Sequence, residues 1–216
     1  MIVFVDFDGT ITDVDTFDAL VRDSAGDAAW NAIDAGLMAG KITLRDALAR
    51  QAACVRRTKP EALAFLEANA NVDPAFAPFV ATARSLGVSV RVVSSGIATI
   101  IHHALARAGV DVPVLANDVD FAPGGWTMSF VDESANGHDK AAHVRAAHAA
   151  GEATVYIGDG ISDFEAALVA DRRFAKKNRA LEAYCRERGV ACTGFTSFAE
   201  IERALFAPGR RGAVTD

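Results

Sequence analysis

Cysteine is scarce in this 216-residue chain: Cys54, Cys185 and Cys192 are odd in number, and none stands in a CxxC pair. That usage excludes a disulfide framework and a structural zinc site, and it fits a reducing compartment. Basic residues are outnumbered, 22 Lys and Arg against 28 Asp and Glu, for a net charge of −6. Such a balance lacks the concentrated basic face that nucleic acid or an anionic membrane demands, so neither is expected as a partner. Long apolar runs are missing too. Met1 to Val5 are apolar, but they are too few for a signal peptide and have no basic flank. No later run approaches the ~18 residues needed to span a bilayer. There is no internal repeat and no low-complexity segment beyond an enrichment in alanine. The expectation is a cytoplasmic protein of one domain, or of one domain carrying a sizeable insertion.

What is present is enough for a packed core: 51% of residues are apolar and 23% charged. Short apolar runs at Ile2–Asp6, Val88–Ser94, Pro113–Ala116, Ala153–Gly158 and Arg173–Ala175 read as strands. The first, second and fourth are continuous rather than alternating, as strands buried on both faces of a parallel sheet are. Helical patterns lie between them, at Pro74–Leu86, Ile97–Ala108, Lys140–Ala150, Ser162–Ala170 and Ala180–Arg188. Gly87, Gly109, Gly151 and Gly189 stand just past four of these, where a left-handed cap residue is wanted. The fold class expected is α/β, a doubly wound parallel sheet. From Thr16 to Asn71 only helical patterns occur (Phe17–Asp23, Asp27–Met38, Leu44–Arg56, Glu61–Ala70), which predicts a helical cap over 16–71 and a core made of 1–15 with 72–216. Val119–Val131, with Gly124-Gly125 between two alternating runs, predicts a β-hairpin projecting from the sheet and packed by Trp126 and Phe130. Pro208–Asp216 has no apolar periodicity and is expected to be frayed.

Ligands of open parallel sheets sit at the carboxyl ends of the strands. The first strand ends in Asp6-Phe7-Asp8-Gly9-Thr10, the second in Ser94-Ser95-Gly96 at the opening of a helix, and the fourth in Asp159-Gly160-Ile161-Ser162-Asp163. Lys140 opens the helix before that fourth strand. Buried carboxylates at one edge repel one another, so this group calls for a cation. Oxygen donors with nothing softer nearby point to Mg²⁺, which binds through one or two carboxylates plus a substrate phosphate. Ser94, the N–H groups following Gly96 and Lys140 supply donors for that phosphate. Taken singly, each residue has an ordinary reading. Asp6-x-Asp8-Gly9 reads as a strand-to-turn signal, Ser94 as a helix cap, Ser162 and Glu165 as a capping box, and Lys140 as a surface charge. Their convergence on one sheet edge reads as a site. Other polar residues read as bystanders. His138, His143 and His148 are spaced by five, which turns each ~140° from the last on a helix, so they are not expected to share a metal. His102 and His103 also diverge. Phe17, Trp30 and Phe65 read as core.

These same segments, Asp6-Phe7-Asp8-Gly9-Thr10, Ser94, Lys140 and Gly158-Asp159-Gly160-Ile161-Ser162-Asp163, resemble the four motifs of the haloacid dehalogenase superfamily, in order, over nearly the whole chain. The resemblance implies that Asp6 is a nucleophile forming an aspartyl-phosphate. Asp8 would then be the acid that protonates the leaving oxygen and afterwards activates water. It also implies Mg²⁺ held by Asp6, the Asp8 main-chain carbonyl, Asp159 and Asp163, with the phosphoryl group oriented by Ser94, Ser95, Gly96 and Lys140. A helical insertion between the first two motifs is similar to the small cap of the phosphoserine-phosphatase branch. Within that branch the chain looks most like the 2-hydroxy-3-keto-5-methylthiopentenyl-1-phosphate phosphatases. The shared segments are Ile11-Thr12, Asp15, Asn117-Asp118-Val119-Asp120-Phe121 and Phe174-Ala175-Lys176. Phosphoserine phosphatases carry a Glu where Asp15 stands and a cap Arg where Ala49 stands, flanked here by Arg45 and Arg50. Asp15, Arg45 and Arg50, with Trp30, are thus the candidate specificity residues. The function expected is a Mg²⁺-dependent phosphatase acting on a small phosphorylated metabolite. A phosphotransferase or mutase using the same aspartyl-phosphate and a non-catalytic ligand-binding protein remain alternatives. An alkyl-halide dehalogenase would need neither Mg²⁺ nor Asp8.

Overall fold

The computed structural model describes residues 1–207; the Pro208–Asp216 tail lies outside them. At the centre is β1 (Ile2–Val5). Its residues alternate between two apolar layers, Val3 and Val5 into one and Ile2 and Phe4 into the other. This is why a strand buried on both sides reads as an unbroken apolar run. Around it lie β2 (Ser89–Ile97), β3 (Val114–Asp120), β4 (Thr127–Ser129), β5 (Thr154–Gly158), β6 (Arg172–Lys176) and β7 (Thr193–Phe195). The sheet order is β4-β3-β2-β1-β5-β6-β7, parallel except for β4. One layer is formed by α4 (Phe76–Ser85), α5 (Ala98–Arg107) and α9 (Phe198–Phe206), the other by α6 (Lys140–Ala149), α7 (Phe164–Val169) and α8 (Ala180–Glu187). The doubly wound α/β expectation holds. The four glycines after α4, α5, α6 and α8 all adopt positive φ, between 65° and 76°.

Sequence order reverses direction across the sheet at β1, which pairs with β2 on one side and β5 on the other. The crevice at their carboxyl ends is the topological switch point. Above it lie α1 (Thr16–Met38), α2 (Leu44–Cys54) and α3 (Lys59–Asn69). The two helices expected in the first stretch are one element interrupted at Gly26, where φ 81° and ψ 162° break the helix. The two chain crossings into this unit are stapled together. Asp13 N donates to Asn71 O (3.0 Å), Asp73 N donates to Ile11 O (2.8 Å), and the Asn71 side chain donates to Asp13.

The hairpin expected at 119–131 is formed by β3 and β4: Asp118–Asp120 run past the pairing with β2, which ends at Asn117, and pair antiparallel with Thr127–Ser129. Trp126 packs the hairpin against the cap rather than merely within itself, its Nε1 donating to Arg57 O (2.7 Å) and its main-chain N–H to Ala52 O (3.0 Å). The Ser162–Glu165 capping box is absent, because Ser162 Oγ accepts from Lys140 instead. Finally, β7 and α9 escaped the sequence reading. The Ser197–Glu200 spacing was an available signal for α9: Ser197 caps it, and buried Phe198 and Ile201 seat it. Among the described residues no helix is long and apolar enough to cross a membrane.

Candidate active site

Four chain segments meet at the switch point. Asp6 follows β1 directly, and its N–H donates to Ile157 O of β5 (2.8 Å), which fixes where its carboxylate emerges. Asp159 follows β5. Gly9 turns the chain at φ 71°, and a Cβ there would collide with Asp159 Oδ2, so the turn needs glycine for both conformation and space. Asp8 is anchored through Oδ1, which accepts from Thr16 N (2.9 Å) and from the Thr16 hydroxyl. Its Oδ2 faces Gly96, where a Cβ would overlap it. β2 runs on to Ile97 with a register shift between Ser94 and Ile97, so this segment is a bulge and α5 begins only at Ala98. Gly96 N donates to Ser94 Oγ (2.9 Å), and the helix start follows it directly, with Ile97 as the cap residue. Ser95 is buried, and its Oγ has no partner among the described residues.

Beneath these lies Lys140, 2% exposed, the first residue of α6. Its Nζ donates to Asp6 Oδ1 (2.6 Å), Asp163 Oδ1 (2.7 Å) and Ser162 Oγ (2.9 Å), so all three ammonium protons are used. Asp163, fully buried, also accepts from the Tyr156 hydroxyl (2.7 Å) and from Asp159 N and Gly160 N (2.9 and 3.0 Å). It is held by more donors than any other carboxylate at the site. Tyr156 was not foreseen, because it looks like a core aromatic in a strand. Two of the three histidines spaced by five touch each other. His138 precedes the helix, so helical spacing does not apply, and its Nε2 meets His143 Nε2 at 2.8 Å. The other nitrogen, Nδ1, lies 2.7 Å from Ser94 O and ties that bulge to the segment carrying Lys140.

Burial raises the Asp6 carboxyl to about 7, with repulsion from Asp163 working against the attraction of Lys140. Burial and then Asp15 raise Asp8 to about 7 against the Thr16 hydrogen bonds. Burial, Asp6 and Asp163 raise Asp159 to about 8. Burial alone would lower the Lys140 ammonium, but Asp163 and Asp6 outweigh it and raise its pKa. One cation therefore does not balance this site. Carboxylate oxygens of Asp6, Asp159 and Asp163 lie within 4.8 Å of one another, an all-oxygen donor set that fits a hard divalent cation.

A pH dependence follows. Between about 4 and 8 the folded chain holds protons on Asp6, Asp8 and Asp159 that the unfolded chain releases, so stability falls as pH rises. His138, which burial lowers to about 4, acts oppositely below its ordinary 6.5. In chelator, the thermal midpoint is therefore expected to fall from pH 6.5 to 8. Added Mg²⁺ should raise it more at pH 8 than at 6.5, and a midpoint flat across that window would contradict the buried-acid reading.

A cleft of about 210 Å³ opens above the acids. Asp6, Asp8, Asp15, Ser94, Ser95, Gly96 and Asp159 line it, and cap residues Phe17, Asp18, Trp30 and Asp34 form the far wall. Phe17 and Trp30, read as core, belong to the apolar cluster of the helical unit and also border the cleft. Asp15 also caps α1, accepting from Asp18 N (2.8 Å). Arg45 and Arg50 are not brought to the cleft. Arg45 bonds Asp132 O and pairs with Glu133 (3.0 Å), whereas Arg50 lies exposed on α2. A roomier groove of about 350 Å³ lies between α3 and α5, but its charges Glu67, His103 and Arg107 pair among themselves.

Residues 3–168 match the haloacid dehalogenase-like hydrolases. The chain belongs to that family. This hydrolase is 34% identical to the Pdp3-interacting factor 1 of Schizosaccharomyces pombe, over 94% of its own length and 93% of that protein. It is 31% identical to the polyol phosphate phosphatase PYP1 of Saccharomyces cerevisiae, over 93% and 90%. It is also 28% identical to a 2-hydroxy-3-keto-5-methylthiopentenyl-1-phosphate phosphatase of Exiguobacterium sibiricum, over 92% and 93%. In fold it is similar to a phosphoserine phosphatase solved as a phospho-aspartyl intermediate analogue, with a TM-score of 0.71, 18% identity, and coverage of 94% and 97%. The branch expected from the sequence is the one these relatives occupy.

Proposed function

We propose that this hydrolase is a Mg²⁺-dependent phosphatase that cleaves the phosphate monoester of a small metabolite through an aspartyl-phosphate on Asp6. That it is a phosphoric monoester hydrolase follows from its family and the phosphatases among its relatives. The observation that carries the finer reading is the Lys140 bridge between Asp6 and Asp163 at the carboxyl edge of β1 and β5. Asp6 Oδ1 is occupied by that bridge, and Oδ2, without a partner among the described residues, is the attacking atom. Its attack forms the carboxyl–phosphorus bond and breaks the ester P–O bond. Asp8, raised to about 7, holds a proton for the departing alkoxide on Oδ2 while Thr16 fixes Oδ1. In the second step Asp8 takes a proton from water, whose oxygen attacks phosphorus as the bond from phosphorus to Asp6 Oδ2 breaks, releasing phosphate and restoring the Asp6 carboxylate. Ser94, Ser95 and Gly96 border the phosphoryl group, and Ser95 Oγ is a donor awaiting an acceptor. Lys140 orients Asp6. Asp6, Asp159, Asp163 and the Asp8 carbonyl would hold Mg²⁺, which supplies charge neutralisation for the phosphoryl oxygens. Residues 16–71 act as the cap that closes over the leaving group, in a cytoplasmic setting.

Phosphate release from small esters, with Mg²⁺ and with chelator, tests the reading. Metal-dependent release is expected, and phosphate passing to an added alcohol in preference to water would instead indicate a transferase. Asp8→Asn should slow alkyl esters at least about 10-fold more than aryl esters, whose leaving groups need no proton. Equal losses for both would remove Asp8 from the acid role.

A further inference from the structure

Every charged side chain on the wall of the cleft facing the leaving group is a carboxylate, set among apolar Phe17, Leu37, Leu44, Ala47 and Leu48. Asp15, Asp18 and Asp34 present carboxylates there, and no Lys, Arg or His lines the cleft among the described residues. Three nearby cations are engaged elsewhere, Arg22 on the Trp30 ring and with Asp27. Lys140 has all three donors on Asp6, Asp163 and Ser162, and Arg45 is turned onto the 132–133 loop. The nearby donors are turned onto the same wall. Trp30 Nε1 donates to Asp18 Oδ1 (2.6 Å), and Gln51 Nε2 approaches the same oxygen at 3.4 Å. An independent observation marks this cleft as a ligand site. Ser95, 9% exposed and lining it, has a hydroxyl with no partner among the described residues.

We infer that the cleft selects phosphate esters whose leaving group is uncharged or cationic and bears hydroxyl or amino donors, and that it rejects leaving groups carrying a carboxylate or a second phosphate. Resting on the phosphatase reading above, this names its substrate class. Carboxylates accept and never donate when ionised, so they match hydroxyls and ammonium groups. An anionic substituent there would meet like charge in a confined space, which disfavours its binding. Ala49 is exposed on α2, and neither Arg45 nor Arg50 lines the cleft.

Two matched pairs of esters test the inference. Glycerol 3-phosphate and 3-phosphoglycerate differ by a hydroxymethyl against a carboxylate, and ethanolamine phosphate and phosphoserine differ by one added carboxylate. With Mg²⁺ present, kcat/KM is expected to be at least about 100-fold higher for the first member of each pair. The glycerol and ethanolamine arms separate hydroxyl from ammonium recognition. In Asp34→Lys the ratio within each pair should shrink at least about 10-fold, because the wall then offers a cation. Asp18→Asn keeps an acceptor for Trp30 and should shrink it in the same direction. Ratios within about threefold in the wild type, beside rapid hydrolysis of an aryl phosphate, would overturn this inference alone. Failure to hydrolyse any ester, aryl included, would overturn the phosphatase reading and this one with it.

Discussion

Asp6→Asn is expected to abolish phosphate release, by at least about 10⁴-fold for aryl and alkyl esters alike, because an amide oxygen does not form the acyl-phosphate bond. The fold should survive. Asn offers the same Oδ1 to Lys140, whose 2.6 Å bond is the side-chain hydrogen bond Asp6 makes among the described residues. The substitution also removes one carboxylate from a crowded set. Burial and repulsion from Asp163 hold Asp6 up at about 7, so at pH 8 its charge destabilises the metal-free protein. In chelator at pH 8 the variant should therefore unfold at or above the wild-type midpoint. The two readouts move in opposite directions, which a general loss of structure could not produce. Residual turnover near wild type would end the nucleophile assignment.

The largest stability effect should come from Lys140→Met. Its ammonium bridges Asp6 and Asp163, and all three side chains are at least nine-tenths buried. Removing one partner of a buried ion pair leaves uncompensated charge, at a cost of about 3–5 kcal/mol. Urea unfolding in chelator at pH 8 should report a loss of that order. Toward pH 5 the loss should diminish, because Asp6 and Asp159 then become protonated and less charge is left bare. Activity should fall about 100-fold or more, as for loss of other preorganised charges. A Lys140→Met protein within about 1 kcal/mol of wild type at pH 8 would mean that the bridge carries little of the site's electrostatics.

Much of the molecule was legible before folding. Strands β1, β2 and β5 declared themselves because burial on both faces leaves an unbroken apolar run, and their turn residues put Asp6, Asp8 and Asp159 at the sheet edge. Family membership was legible for the same reason: close packing around a charged centre restricts which residues fit, Gly9 and Gly96 included. Tyr156 was not legible, since a buried aromatic in a strand has the same local signature whether or not its hydroxyl meets a carboxylate. The His138–His143 contact was not legible because spacing predicts direction only inside a continuous helix, and His138 lies before the start of α6.

Local pattern alone determined the doubly wound class, the helical insertion and the identity of the acids and the ammonium, because periodicity and turn chemistry are properties of neighbours in the chain. Only the tertiary structure decided which residues of α1 and α2 line the cleft. It turned Arg45 toward the 132–133 loop, left Arg50 outside, and set Asp18, Trp30 and Asp34 across from Asp6. The physical reason is that a cap helix has its facing set by packing against distant partners, here α5 and the β3–β4 hairpin through Ile100, Val119 and Trp126, and no residue within the helix records that choice.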